Sequence, residues 1–207
     1  MLDLLPPKLN ELSTSDVVRG LLAARIPVGS QIMIPLPGLG GGIPNRSARA
    51  VVIVAIQALS IRPGSRIGVP LYCCPVVFKA IRAADCVPRV TDIDTETFCL
   101  SSEDLRANRS GIDALVAVHM FGNLCDMPKV LEIMDGTPVI EDCAQSLGSK
   151  LEGRACRSFG DISFFSFRSG KYLFVGEGGA QFSENKDLRV RMSDLTAALP
   201  ALPVPMR

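Results

Sequence analysis

Apolar positions along this chain recur in two rhythms, and the rhythm switches repeatedly from residue 47 onward. "SARAVVIVAIQALSI" (47–61) is an apolar run of helix length, interrupted by Gln57, and predicts a buried helix. "SRIGVPLY" (65–72) is short, apolar and bounded by turn formers, which predicts a strand. "PVVFKAIRAAD" (75–85) predicts a helix and "VPRVTDID" (87–94) a strand, and "SSEDLRAN" (101–108) begins a helix with a capping box of Ser101 and Asp104. Beyond these, "ALVAVHMF", "TPVIEDCA", "DISFFSF" and "GGAQFS" predict strands, while "DMPKVLEIMD" and "ENKDLRVRMSDL" predict helices. Alternation of this kind with short connectors predicts an α/β fold, a three-layer sandwich around a mostly parallel sheet. In such sheets ligands bind at the carboxyl ends of the strands.

The two ends break the pattern. Residues 1–46 contain the proline- and glycine-rich "IPVGSQIMIPLPGLGGGIPN" and are expected to form an irregular N-terminal arm. Residues 47–195 are expected to be the ligand-binding domain and 196–207 a proline-rich tail. With 207 residues, 47% of them hydrophobic and 21% charged, the chain has the composition of a globular domain. The 22 lysines and arginines nearly balance the 21 acidic residues, so no electrostatic footprint points to nucleic acid or an anionic membrane. The run at 50–61 is too short to cross a bilayer, and the N-terminus lacks the basic and apolar regions of a signal peptide. Seven scattered cysteines without a C-x-x-C fit reduced thiols in a cytoplasmic protein, with no metal site.

Asp142 ends an apolar strand and Lys171 lies just beyond the next one, so both are expected at the same sheet edge. Separately, each has a commoner fate, a capping aspartate and a surface lysine. Together they are what pyridoxal 5'-phosphate requires: a lysine that bonds its aldehyde and an acid that keeps its ring nitrogen protonated. Other motifs fail, because "RSGKY" lacks the remaining P-loop residues and "PGLGGGIPN" carries Ile43 where G-x-G-x-x-G needs its last glycine.

The segment "VIEDCAQSLGSKLEGRACRSFGDISFFSFRSGKYLFVGEGGA" (139–180) resembles the sugar aminotransferases of the DegT/DnrJ/EryC1/StrS family, pyridoxal-phosphate enzymes of fold type I. The shared pieces are "EDxAQ", "GD", "FSF", a lysine four residues later and "GEGGA", with weaker similarity running back to residue 47. The resemblance implies Lys171 as the catalytic, cofactor-linked lysine and proton shuttle, Asp142 at the pyridine nitrogen, Gln145 near the ring hydroxyl and Ser166 at the phosphate. It also implies a homodimer that transfers an amino group from glutamate to a keto-sugar nucleotide, and the lysine argues against the family's dehydratase branch. Glu177, Gly178 and Gly179 match its glycine turn or serve as a purely structural one, and His119 in "VHMFG" is a packed residue or a catalytic one.

The chain also departs from that pattern. Ala48 and Arg49 stand where the family has a glycine and a threonine against the cofactor phosphate; Arg49 either supplies a compensating cation or fills the pocket. Cys74 stands where an aromatic residue stacks on the cofactor ring, with Tyr72 two positions earlier. The chain is about half the family's length, so it is expected to be an incomplete large domain. The alternative function is a non-catalytic scaffold or partner that keeps the fold.

Overall fold

The computed structural model describes residues 41–173 and 177–199. In chain order the elements are β1 (Ile43–Asn45), α1 (Ala48–Ala58), β2 (Arg66–Pro70), α2 (Pro75–Ala83), β3 (Val87–Thr91), α3 (Ser102–Ala107) and β4 (Ala114–Val118). They continue with α4 (Met127–Met134), β5 (Val139–Asp142), β6 (Lys150–Leu151), β7 (Arg154–Ala155), β8 (Ile162–Ser166), β9 (Gly179–Phe182) and α5 (Lys186–Ala197).

Seven strands form one sheet in the order β1-β9-β8-β5-β4-β2-β3. β3, β2, β4, β5 and β8 pair in parallel, β9 runs antiparallel to β8, and β1 antiparallel to β9. Every residue of β4 and β5 is buried, as expected for strands covered on both faces, whereas edge strand β3 exposes Val87 and Val90 and carries Pro88. The connection β2-α2-β3 runs toward one edge, and β3-α3-β4 and β4-α4-β5 run toward the other. Right-handed crossovers therefore place α2 on one face and α3 with α4 on the opposite face. α1 packs between α2 and α5, and α3 against α4, which completes the three layers.

α1 begins at Ser47, whose hydroxyl accepts the Ala50 N–H at 3.2 Å. Seven of its eleven residues are buried because sheet, α2 and α5 surround it, which is why its sequence is apolar almost all round. Truncating Ile56 within it removes a fully buried side chain, at a cost of about 2–5 kcal/mol. At the start of α3, Ser101 Oγ accepts the Asp104 N–H, as its capping pattern predicts.

Two features lay outside the sequence pattern. The last residues of the expected N-terminal arm form β1, in register with β9 through Ile43↔Gln181 and Asn45↔Gly179. Pro44 disguised it, and an edge strand tolerates proline because one side of its backbone has no partner. The hairpin β6–β7 was also missed. Its two-residue strands are too short to show periodicity, and its turn places Glu152 and Gly153 at φ of +50° and +80°. Most of the arm, and residues 200–207 of the expected tail, lie outside the described residues, while α5 extends to Ala197.

Candidate active site

The strand order reverses between β2 and β4, and a cleft of about 290 Å³ opens at the carboxyl ends of the strands. Ala48, Arg49, Cys74, Asp142, Gln145, Ser166 and Lys171 all line it. They come from the first turn of α1, the residue before α2, and the ends or following loops of β5 and β8.

Adjacent acids on β5 alternate faces and meet opposite environments. Glu141 is fully buried beneath the cleft; its Oε1 accepts from His119 Nε2 at 2.9 Å, and its Oε2 accepts the N–H groups of Phe159 and Gly160, each at 3.0 Å. Burial opposes its charge, but the hydrogen bond from His119 and the backbone N–H groups of Gly160 and Arg157 outweigh it, so the carboxyl lies below its ordinary value. The Cys125 N–H donates to His119 Nδ1 at 3.1 Å, which puts the proton of the neutral ring on Nε2, facing Glu141. Both ring nitrogens are thus committed, and His119 is a hydrogen-bonded buried residue. Donor atoms of His119, Glu141 and Cys143 lie within 4.8 Å of one another, but these hydrogen bonds already fill the cluster.

Asp142 lines the cleft and is only 5% exposed. Its Oδ1 accepts the Ala144 N–H at 2.9 Å, and Oδ2 has no hydrogen bond among the described residues. Burial holds its carboxyl above the ordinary value, against the opposing influence of the Ala144 N–H and the charge of Lys171. A buried carboxylate with an unused oxygen facing a cleft is suited to a cationic N–H donor. The Lys171 ammonium makes no hydrogen bond or ion pair with a described residue; its loop turns through a backbone bond from Lys171 N–H to Arg168 O at 3.2 Å.

Another part of the cleft lining is suited to an anion. The Ala48 and Arg49 N–H groups lie in the first turn of α1 and have no intrahelical acceptor, and Ser166 brings a hydroxyl from the end of β8. Gly179 lets β9 lie close to this turn. A Cβ there would fall 2.8 Å from Phe165 O and 3.2 Å from Ala48 N, so a side chain would push the strand away from the helix. Gly178, at φ +123°, turns the chain into β9.

Gln145 Nε2 sits 3.1 Å from Met120 Sδ on the cleft wall. Cys74 is exposed and presents a thiol where a stacking ring was expected. Tyr72 does not replace that ring, because it turns away to meet Phe98 and Phe121. The sequence reading missed the structural role of Glu141, whose neighbour in "EDxAQ" drew attention, and it missed Met120 as a cleft residue. All seven cysteines are free thiols.

Several parts of this site fit pyridoxal phosphate: an acid with a free oxygen, a lysine in the same cleft, and a helix N-terminus with a hydroxyl. Comparison with known proteins agrees. The model of the DegT/DnrJ/EryC1/StrS aminotransferase family matches residues 42–198. GDP-perosamine synthase of Escherichia coli O157:H7 is 36% identical over 138 residues, 65% of this chain and 38% of that protein. L-glutamine:2-deoxy-scyllo-inosose aminotransferase of Streptoalloteichus tenebrarius is 31% identical over 163 residues, 77% of this chain and 38% of its own length. The crystal structure of NtdA from Bacillus subtilis with bound cofactor PMP superposes with a TM-score of 0.67 at 26% identity, covering 73% of this chain and 35% of that one. The chain thus spans about two fifths of the length of the curated relatives it matches. Aminotransferases of this family depend on pyridoxal phosphate. With the family model covering β1 through α5 and the cleft residues falling inside the match, the chain belongs to the DegT/DnrJ/EryC1/StrS aminotransferase family.

Proposed function

We propose that this chain binds pyridoxal phosphate in the cleft and provides the cofactor-binding part of an aminotransferase that moves an amino group from glutamate to a keto-sugar nucleotide. The observation that carries this reading is the buried Asp142 carboxylate, with one oxygen unused, in the same cleft as Lys171 and the first turn of α1. Bound there, the cofactor supplies an electron sink for amino transfer. Asp142 accepts the ring N–H and keeps it protonated, and Gln145 donates toward the ring hydroxyl. Ser166 and the N–H groups of Ala48 and Arg49 hold the phosphate, with the Arg49 guanidinium as an added cation in place of a hydroxyl. Lys171 would hold the cofactor covalently through its amine, and when free of it that amine would be the base that takes up and returns the proton. Cys74 leaves one ring face without an aromatic partner, which lowers affinity without removing any polar anchor.

A homodimer and a cytoplasmic location belong to the same reading, checked by sedimentation and by cell fractionation. Among the described residues, no helix is long and apolar enough to cross a membrane. The deciding experiment adds pyridoxal phosphate to the purified chain and records absorbance before and after borohydride, with Lys171→Ala as control. A near-visible band that borohydride fixes to the protein only when Lys171 is present is the expected result. No band at saturating cofactor overturns the reading in favour of a non-catalytic scaffold.

A further inference from the structure

Four of the buried cysteines pair off near His119 and Glu141: Cys99 with Cys125, and Cys143 with Cys156, each pair joined by a hydrogen bond between its thiols. Amino transfer uses none of them. Cys99 and Cys125 lie in the main core, whereas Cys143 and Cys156 belong to a smaller apolar cluster with Phe165, Phe167, Ala180 and Phe182. Cys143 directly follows Asp142 at the end of β5, and Cys156 directly follows β7.

A short series of backbone bonds brings the second pair together. Ser146 N–H donates to Cys143 O at 3.1 Å, Ser149 N–H to Ser146 O at 2.9 Å, and Cys156 N–H to Ser149 O at 2.9 Å. The Cys156 thiol donates to Ser146 O at 2.9 Å, and the Cys143 thiol donates to Glu141 Oε1 at 3.5 Å. The two sulfurs meet different surroundings. Burial pushes the Cys143 thiol well above its ordinary value. At Cys156, hydrogen bonds from the Cys143 thiol and the Ser146 hydroxyl outweigh burial and bring the thiol down from 9.0 to about 7. Ser146 Oγ is fully buried and has no hydrogen-bond partner while Cys156 is a thiol. A buried hydroxyl without a partner is costly, and a Cys156 thiolate is the acceptor it lacks.

We propose that Cys143 and Cys156 are a reversible disulfide site, oxidised by hydrogen peroxide, beside the cleft. A thiolate next to a second thiol is the arrangement of an attacking cysteine and its resolving partner. The Cys156 sulfur attacks one peroxide oxygen: an S–O bond forms, the O–O bond breaks, and the departing hydroxide takes up a proton and leaves as water. The Cys143 sulfur then attacks the Cys156 sulfur: the S–S bond forms, the S–O bond breaks, and the Cys143 proton leaves with the hydroxyl as a second water. Two thiols are oxidised and one peroxide is reduced, so electrons balance. Cys156 adjoins the hairpin β6–β7, whose strands are two residues each, so opening of one small element admits peroxide without unfolding the sheet. The bridge closes the loop 143–156, which carries the cleft residues Ala144 and Gln145.

The test reduces the full chain, removes the reductant, adds hydrogen peroxide, alkylates the remaining thiols and maps the digest by mass spectrometry. The expected result is a peptide pair joined through Cys143 and Cys156, lighter by the hydrogens lost and parted by dithiothreitol. Its rate of formation should reach half its maximum near pH 7. With Cys143→Ala the reaction should stop at a sulfenic acid on Cys156, captured by dimedone. Ser146→Ala keeps both sulfurs and should slow the bridge several-fold while moving its half-maximum to higher pH. Circular dichroism confirms that parent and variants are folded during oxidation. No linked peptide in excess peroxide, or one that forms only in urea, overturns the proposal. So does a Cys156 that pairs with a different cysteine. A Ser146→Ala chain that oxidises at the parent's rate and pH overturns the thiolate step and the proposal with it. The readout needs no cofactor, so its result stands apart from the aminotransferase reading.

Discussion

Glu141 and Asp142 are adjacent acids on one strand, and the sheet gives them opposite work. Glu141 points away from the cleft and meets His119 and a row of backbone N–H groups that hold it ionised. Asp142 points into the cleft, keeps one protein donor, and burial disfavours its charge. A carboxylate whose oxygens are filled by the protein holds the fold together. One left short of partners stores an electrostatic cost that a cationic ligand can relieve. The difference lies in the number of donors the two meet, since both are buried.

The largest effect that would break this comparison is expected from Glu141→Ala. Removing the acid leaves His119 and several buried N–H groups unpartnered and should cost about 3–5 kcal/mol, read as a lower denaturation midpoint. If stability is unchanged, the structural role assigned to Glu141 is wrong. Next comes Asp142→Asn, which should act in the opposite sense on the cofactor-free chain. Asparagine removes the buried charge yet can still accept from Ala144, so the variant should gain a few degrees in midpoint at pH 7 while binding pyridoxal phosphate at least tenfold more weakly. A variant that binds cofactor as well as the parent removes Asp142 from the site.

The two acids should also separate with pH. The lowered Glu141 value contributes stability that is present above its ordinary value of 4.5 and is lost as pH falls through the lower folded value. Asp142 behaves in reverse: its contribution is present below the ordinary 3.8 and is lost as pH rises through the raised folded value. Urea titrations from pH 3 to 7 should therefore show the advantage of the parent over Glu141→Gln shrinking on acidification, and the advantage of Asp142→Asn over the parent shrinking in the same direction. Parallel curves for either variant would contradict the assigned shift.

Smaller effects are expected around the first turn of α1. Gly179→Ala must displace Phe165 O or the start of α1, and about 1–3 kcal/mol of stability should go with weakened cofactor binding. Arg49→Ala should loosen pyridoxal phosphate only a few-fold and reduce the salt dependence of binding, because the helix N-terminus and Ser166 remain. No change in either quantity would show that Arg49 only occupies space.

The element order was legible because the periods of helix and strand differ and the connectors are short. Asp142 and Lys171 stood out because each closely follows an apolar strand, so linear order already implied one sheet edge, whereas Gln145 and Ser166 were singled out only through the family resemblance of the motif around them. Glu141 was hidden in the same motif. Its fate depends on His119 and on the loop at 157–160, which are remote along the chain. β1 was hidden by Pro44, and no local signal revealed that the segment pairs with β9.

Local chemistry thus set the identity of the helices, their caps and the longer strands, since these depend on neighbours within a few residues, while β1 and the hairpin β6–β7 carried no such signal. Which residues share a surface was decided by the sheet. The order β3-β2-β4 brings Tyr72, Phe98 and Phe121 together from three separate loops, and the antiparallel return of β9 lays Gly179 against α1. The physical reason is that strand order and face are settled by burial of the whole core, a global quantity that no short stretch of sequence carries.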